Sequence, residues 1–300
     1  MSHRRFTLFL LAWGLFCATC VFAASIPRPS IAFAAEHDGG LYFVDHSSPK
    51  LHKVYVGLKY FFDLTYSHSR RQLAFTASKH HGIPRSLYVL SVDGMQKQLL
   101  FDARTNNYEL YRPKFDPTGQ FLYALNYSEG VFRYSFRTKR WSKVAILGRD
   151  DIHPQGLGFS VTGTRVALSH DKFVGFLIAS VTSEGIRVER EILAEFNSVT
   201  SPQWLDDDTI VFAGRKVPGL QFLWRIRLSS GIVDQLTAAP LGARDFLTLS
   251  SDSKSVVFTG TNDQEPLEWR LWQLALDGSE PTQLTKGGRL SFHLFPTWIE

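Results

Sequence analysis

The sequence predicts an all-β fold: a six-bladed β-propeller of four-stranded antiparallel blades, with the C-terminal strand closing the ring onto the N-terminal blade. Three observations predict it. A strand–turn–strand unit recurs along the 300 residues. Its third-strand apolar pairs begin at Leu87, Val131, Phe176, Leu223 and Leu271, which are 44, 45, 47 and 48 residues apart. That is the propeller-blade period, longer than the ankyrin or leucine-rich one. Finally, the two chain ends carry complementary fragments of one unit.

The clearest copy is FDPTGQFLYA, Phe115 to Ala124. Pro117 suits the second position of a turn, Asp116 caps it, and Gly119 supplies a positive φ. The apolar residues that follow read as a buried strand, and VFRYSF (131–136) and WSKVAIL (141–147) supply strands three and four. A four-stranded sheet cannot bury both faces alone, so each blade must stack on its neighbours. Parallel copies begin at Tyr66, Phe159, Trp204 and Leu249. The sixth is split. FPTWIE at the C-terminus is a first strand without a second, whereas IAF (31–33) and LYFVD (41–45) are second and third strands without a first. Joined, they complete a blade and remove two exposed sheet edges.

Taken in order, blade one has LHKVYV (51–56) as its outer strand. Blades two to six start near Tyr60, Glu109, His153, Val199 and Ala243. IRVEREIL (186–193) could pass for a helix, but it follows a turn at Gly185 and is read as the outer strand of blade four. The tryptophans Trp204, Trp224, Trp269, Trp272 and Trp298 fall on strands and are read as inter-blade packing.

The order aromatic, Ser or Asp, turn, then an apolar run ending in Phe, later followed by Leu-Trp or Leu-Tyr and Asp-Gly…Leu-Thr, resembles the TolB-type propeller repeat. SVDGMQKQLL (91–100) and LALDGSEPTQLT (274–285) are the nearest copies. The turn departs from the usual Ser-Pro-Asp-Gly, with SHSRR, SVTGT and SSDSK in its place. The resemblance implies a propeller whose channel mouth docks a segment of a partner. The separate N-terminal α/β domain of that family is not expected here, because only a short connector precedes blade one.

Ahead of blade one, Arg4 and Arg5 precede an apolar run from Phe6 to about Ala24, and Val21-Phe22-Ala23 fits a cleavage site for export. Residues 1–23 are read as a signal peptide, 24–30 as a Pro-containing connector and 31–300 as the propeller. The run is also about long enough to span a membrane, so an uncleaved anchor is the rival reading. Both cysteines, Cys17 and Cys20, lie inside this stretch, which leaves the exported chain without a thiol. The net charge of +5 is diffuse and no nucleic-acid-binding signature is present, so nucleic acid is not an expected partner.

In such a ring the turns inside strand pairs one–two and three–four share one face. The longer two–three loops and blade connections share the other, where binding sites concentrate. The mouth residues expected there are Asp63, Arg112, His153, Arg244, Asp245 and His293, with Lys79, His80, His81, Arg85, Arg215 and Lys216 on the loops. The face is basic and points to an acidic partner or anionic ligand. No G-x-S-x-G nucleophile elbow occurs. Ser169-His170-Asp171 are adjacent on a strand and alternate sides, unlike a triad. His80-His81 lack further ligands at metal spacing, and His153 and His293 with Gln155 make a thin set. Asp206-Asp207-Asp208 occupies a repeat turn.

These readings converge on an exported, non-catalytic, monomeric binding scaffold of the periplasm or cell envelope, needing no cofactor or metal, with an envelope protein or anionic ligand as partner. A channel-based lyase or glycosidase acting on an acidic saccharide is the alternative, with Asp63 and Asp245 as its candidate carboxylates. A periplasmic sensor module of a membrane-anchored regulator is another.

Overall fold

A computed structural model describes residues 30–35, 39–45, 48–54, 56–80, 84–149, 152–170, 175–239, 241–262, 268–286 and 292–299. The expected signal segment and all but Ser30 of the connector lie outside the described residues, as do His81 and Asp171. Six sheets form a propeller, each antiparallel within its four blade strands. The only helix among the described residues is the single turn Ala103–Asn106, and none there is long and apolar enough to cross a membrane.

The ring closes as the split unit predicts. Strand His293–Ile299 pairs with Ser30–Ala35, followed outward by Gly40–Asp45 and Ser48–Val54. Ser30 faces Ile299 and Ile31 faces Trp298 in this register. Trp298 is buried with Ile31, Phe33, Val257 and Leu271, so the closing strand also seals blade one against blade six.

The innermost strands of blades two to six are Lys59–Ser67, Tyr111–Phe115, Pro154–Phe159, Ser198–Trp204 and Leu241–Leu249. The core lies between blades. Phe33, Phe75, Phe212 and Phe258 occupy the same place on the second strands of blades one, two, five and six, and all four are fully buried. Each contributes about 2–3 kcal/mol of transfer free energy relative to exposure. Trp204 and Trp224 spend their indole N–H groups on the carbonyls of Gly158 and Gly214, both at 2.9 Å.

Three of the turns share one physical feature, a side-chain acceptor at the end of the first strand. Asp116 Oδ1 accepts from Phe121 N at 2.7 Å, and Gly119 takes φ 70°. Ser160 Oγ accepts from Arg165 N at 3.1 Å and Ser250 Oγ from Ser255 N at 3.0 Å. In these three turns the rest of the sequence varies while a short oxygen-bearing side chain starts the turn, whereas blade five has Leu205 there and uses Asp206 instead.

One expected strand divides. WSKVAIL forms Arg140–Val144 in blade three, and then Ile146–Leu147 crosses to pair in parallel with Ile186–Ile192 of blade four. The connection thereby covers the outer edge of blade four, which would otherwise present unpaired backbone groups. Ile186–Ile192 is a strand, as its position after Gly185 predicts.

Candidate functional site

The innermost strands all depart from regular pairing at similar height. Register shifts fall between Phe62 and Thr65, Tyr111 and Lys114, Pro154 and Gly156, Thr200 and Gln203, and Ala243 and Leu247. In blade one the shift lies opposite Ala32 to Ala34. Bulges re-aim side chains and interrupt the ladder. Four of them carry a non-glycine residue at positive φ: Asp63 (55°), Arg112 (46°), Ser201 (51°) and Phe295 (56°). The left-handed region costs such residues about 1–2 kcal/mol each, and three of the four precede proline, which adds restriction.

The bulges ring a cavity of about 90 Å³ on the propeller axis, lined by residues of all six innermost strands. Asp63 and Arg112 border it, together with Thr65, Lys114, Gln203 and Phe295. Lys114 Nζ donates to Gln203 Oε1 at 2.9 Å. This bond joins blades three and five, passing over blade four. Blade four carries two glycines, Gly156 and Gly158, on its innermost strand. A Cβ on Gly158 would lie 2.1 Å from the Pro202 carbonyl oxygen, and one on Gly156 would lie 3.6 Å from an Arg112 guanidinium nitrogen. Lys114 keeps some surface open to the cavity but is otherwise enclosed by protein, and burial pulls its ammonium down to about 8. The far wall is aromatic: the Phe246 and Phe295 rings lie 4.0 Å apart, with Phe62 against the edge of Phe295 at 6.1 Å.

The mouth residues are not equivalent. Asp63 is half-buried, and its Oδ2 accepts from Thr76 Oγ1 at 3.2 Å. Arg112 lies beside Tyr127, whose phenol is raised chiefly by burial, with the guanidinium opposing. Tyr127 stacks on Tyr111 at 4.6 Å. Burial also raises the Tyr111 phenol, reinforced by its hydrogen bond to Glu109. His153 precedes the blade-four strand, with Nδ1 buried and lacking a hydrogen-bond partner among the described residues, and it does not line the cavity. Arg244 is exposed and lies over Trp269 at 4.4 Å, away from the cavity lining. Asp245 sits on the same strand, and its side chain lies outside the described residues. His293 opens the closing strand but is buried against Phe33, its Nδ1 2.8 Å from Thr285 Oγ1, so it packs between blades instead of facing the channel.

On the loops, Arg85 lies flat over Phe62 at 3.7 Å and its backbone N–H donates to Glu109 Oε1 at 2.7 Å. Lys216 pairs loosely with Glu195 at 3.8 Å and covers Phe196. Lys79, His80 and Arg215 are exposed. Among the described residues no group of three His, Cys, Asp or Glu side chains is arranged to hold a metal ion. The Asp206–Asp208 run is spent on its turn: Asp206 Oδ1 accepts from Asp208 N at 2.7 Å, and Asp208 accepts from Ser229 N and Oγ at 2.8 and 2.6 Å.

The comparisons with known proteins concern the fold. No family model matches the sequence, and no curated protein matches it. Among solved structures, the chain is similar to TolB from Acinetobacter baumannii with a TM-score of 0.70 at 12% identity, covering 90% of this chain and 66% of that one. It thus spans just under two thirds of the length of that TolB. It is also similar to a chain of a nidogen/laminin complex, with TM-score 0.64, 10% identity and coverage of 90% and 98%. An oligogalacturonate lyase in complex with manganese aligns with TM-score 0.50, 12% identity and coverage of 86% and 72%. These likenesses establish a TolB-like six-bladed propeller.

Proposed function

We propose that this protein is an exported, non-catalytic binding scaffold of the periplasm or cell envelope, which docks an extended segment of a partner protein at the channel mouth. The observation that carries this reading is the ring of bulges. It places strained, non-glycine backbone and an unusual set of side chains around a cavity too small for a folded domain but open to a chain segment. The basic residues flanking the mouth favour an acidic segment. The apolar stretch behind Arg4 and Arg5 supports export.

The test is capture of a partner by the mature chain in crosslinked cells, with the intact mass of the same sample reporting cleavage of the N-terminal segment. Capture of one envelope protein, lost with Arg112→Glu, is expected. Equal capture by both forms would remove the mouth from the reading. The lyase alternative requires an acidic saccharide to bind and be cleaved. Its candidate histidines do not meet in the cavity, since neither His153 nor His293 lines it.

A further inference from the structure

Lys114 is absent from every pattern that suggested function in the sequence, yet its surroundings are the most specific in the molecule. An ammonium has three donors, and Lys114 uses one, on the neutral amide oxygen of Gln203. Among the described residues no carboxylate lies within ion-pairing distance of it. Among the described residues Asp63 is the one carboxylate lining the cavity, and it is engaged by Thr76. Arg112 is the second cation on the same wall. An enclosed charge without a counter-charge is costly, and an incoming anion would relieve that cost.

The geometry points to a carboxylate-binding site on the channel floor: Lys114 Nζ takes the carboxylate of an extended acidic segment, a Glu side chain or a chain terminus, whose short stem packs on Phe246 and Phe295. This rests on the channel-docking reading and names the chemistry it selects. With its oxygen already accepting from Lys114, Gln203 keeps its amide N–H₂ as a second donor to the same anion. The cavity of about 90 Å³ holds a carboxylate with a few methylenes. The aromatic wall favours an anion with an apolar stem over inorganic phosphate, whose whole surface is polar.

The experiment titrates the whole exported chain with butyrate, butyramide and inorganic phosphate, by calorimetry in buffers of different ionisation enthalpy. Saturable binding of butyrate, with butyramide and phosphate at least about tenfold weaker, is expected. So is proton uptake near pH 8 that vanishes in acid solution, because the anion raises the Lys114 ammonium from about 8. Lys114→Met should lose butyrate binding at least about thirtyfold, the small end of what truncating one partner of a desolvated pair costs. Its retained unfolding transition shows that the loss is local. Equal binding of butyrate and butyramide, preference for phosphate, or undiminished butyrate binding by Lys114→Met would each overturn the proposal. Butyrate binding without any captured protein would leave the carboxylate site standing and remove the docking reading. Capture of a partner equally by wild type and Lys114→Met would do the reverse.

Discussion

Replacing Lys114 with Met should stabilise the protein, and the size of the effect follows from the site. The ordinary lysine value is 10.5 and burial brings Lys114 to about 8. A shift of that size corresponds to an upper bound of about 3 kcal/mol against the charged form, at about 1.4 kcal/mol per pH unit. Lys114 borders the cavity and keeps partial exposure, which reduces the penalty to about 1–2 kcal/mol once screening by cavity water is allowed for. Losing the bond to Gln203 returns about 0.5–1 kcal/mol. Methionine fills similar space without charge, so a net gain of about 1 kcal/mol is expected at neutral pH. For a domain of this size that raises the melting temperature by about 2–4 °C. The pH dependence is the sharper test. Between the folded and unfolded values the unfolded chain binds more protons than the folded one, so stability rises with pH across that window. The penalty is fully present below about pH 8 and is relieved as the pH climbs towards 10.5. Urea unfolding of both forms across this range should show the Met variant ahead at neutral pH and the two converging in base. A Met variant less stable than wild type at neutral pH, or a difference independent of pH, would refute the account of Lys114 as an uncompensated cation.

Two further substitutions probe the frame around the site. Gly158→Val places a side chain where a Cβ already meets the Pro202 carbonyl at 2.1 Å. Backbone displacement between blades four and five should cost about 2–3 kcal/mol in urea unfolding, and a cost below about 0.5 kcal/mol would mean that the blades are not in close contact there. Trp298→Ala removes the buried anchor of the closing strand, and should lower stability by about 3–5 kcal/mol. An unchanged denaturation midpoint would show that the terminal strand does not hold the ring.

The frame was legible because blade physics repeats. Alternation, turn-forming residues and inter-blade aromatics recur at one period, so degenerate copies reinforce each other, and Phe33, Phe75, Phe212 and Phe258 stand where the repeat puts them. The channel was legible only in part. Asp63 and Arg112 were found because charged residues stand out near strand starts, but His293 shares that position and turns into the blade interface, where Phe33 and Thr285 receive it. Side-chain direction on these strands is set by the bulges, and an extra residue reverses the alternation on which such assignments depend. A signal for the bulges does exist. Arg112-Pro113-Lys114-Phe115, Ser201-Pro202-Gln203-Trp204 and Phe295-Pro296-Thr297-Trp298 share one pattern, a residue at positive φ, proline, a variable position and a buried aromatic. Proline cannot donate to the ladder, so it belongs where the ladder is already interrupted. The residue after it is then the one free to vary without breaking the blade. In blades three and five that variable position holds Lys114 and Gln203, the two side chains that meet across the channel. In these two blades the repeat keeps its packing residues fixed and turns one variable position toward the axis, which separates stability from specificity, and those two positions carry the site.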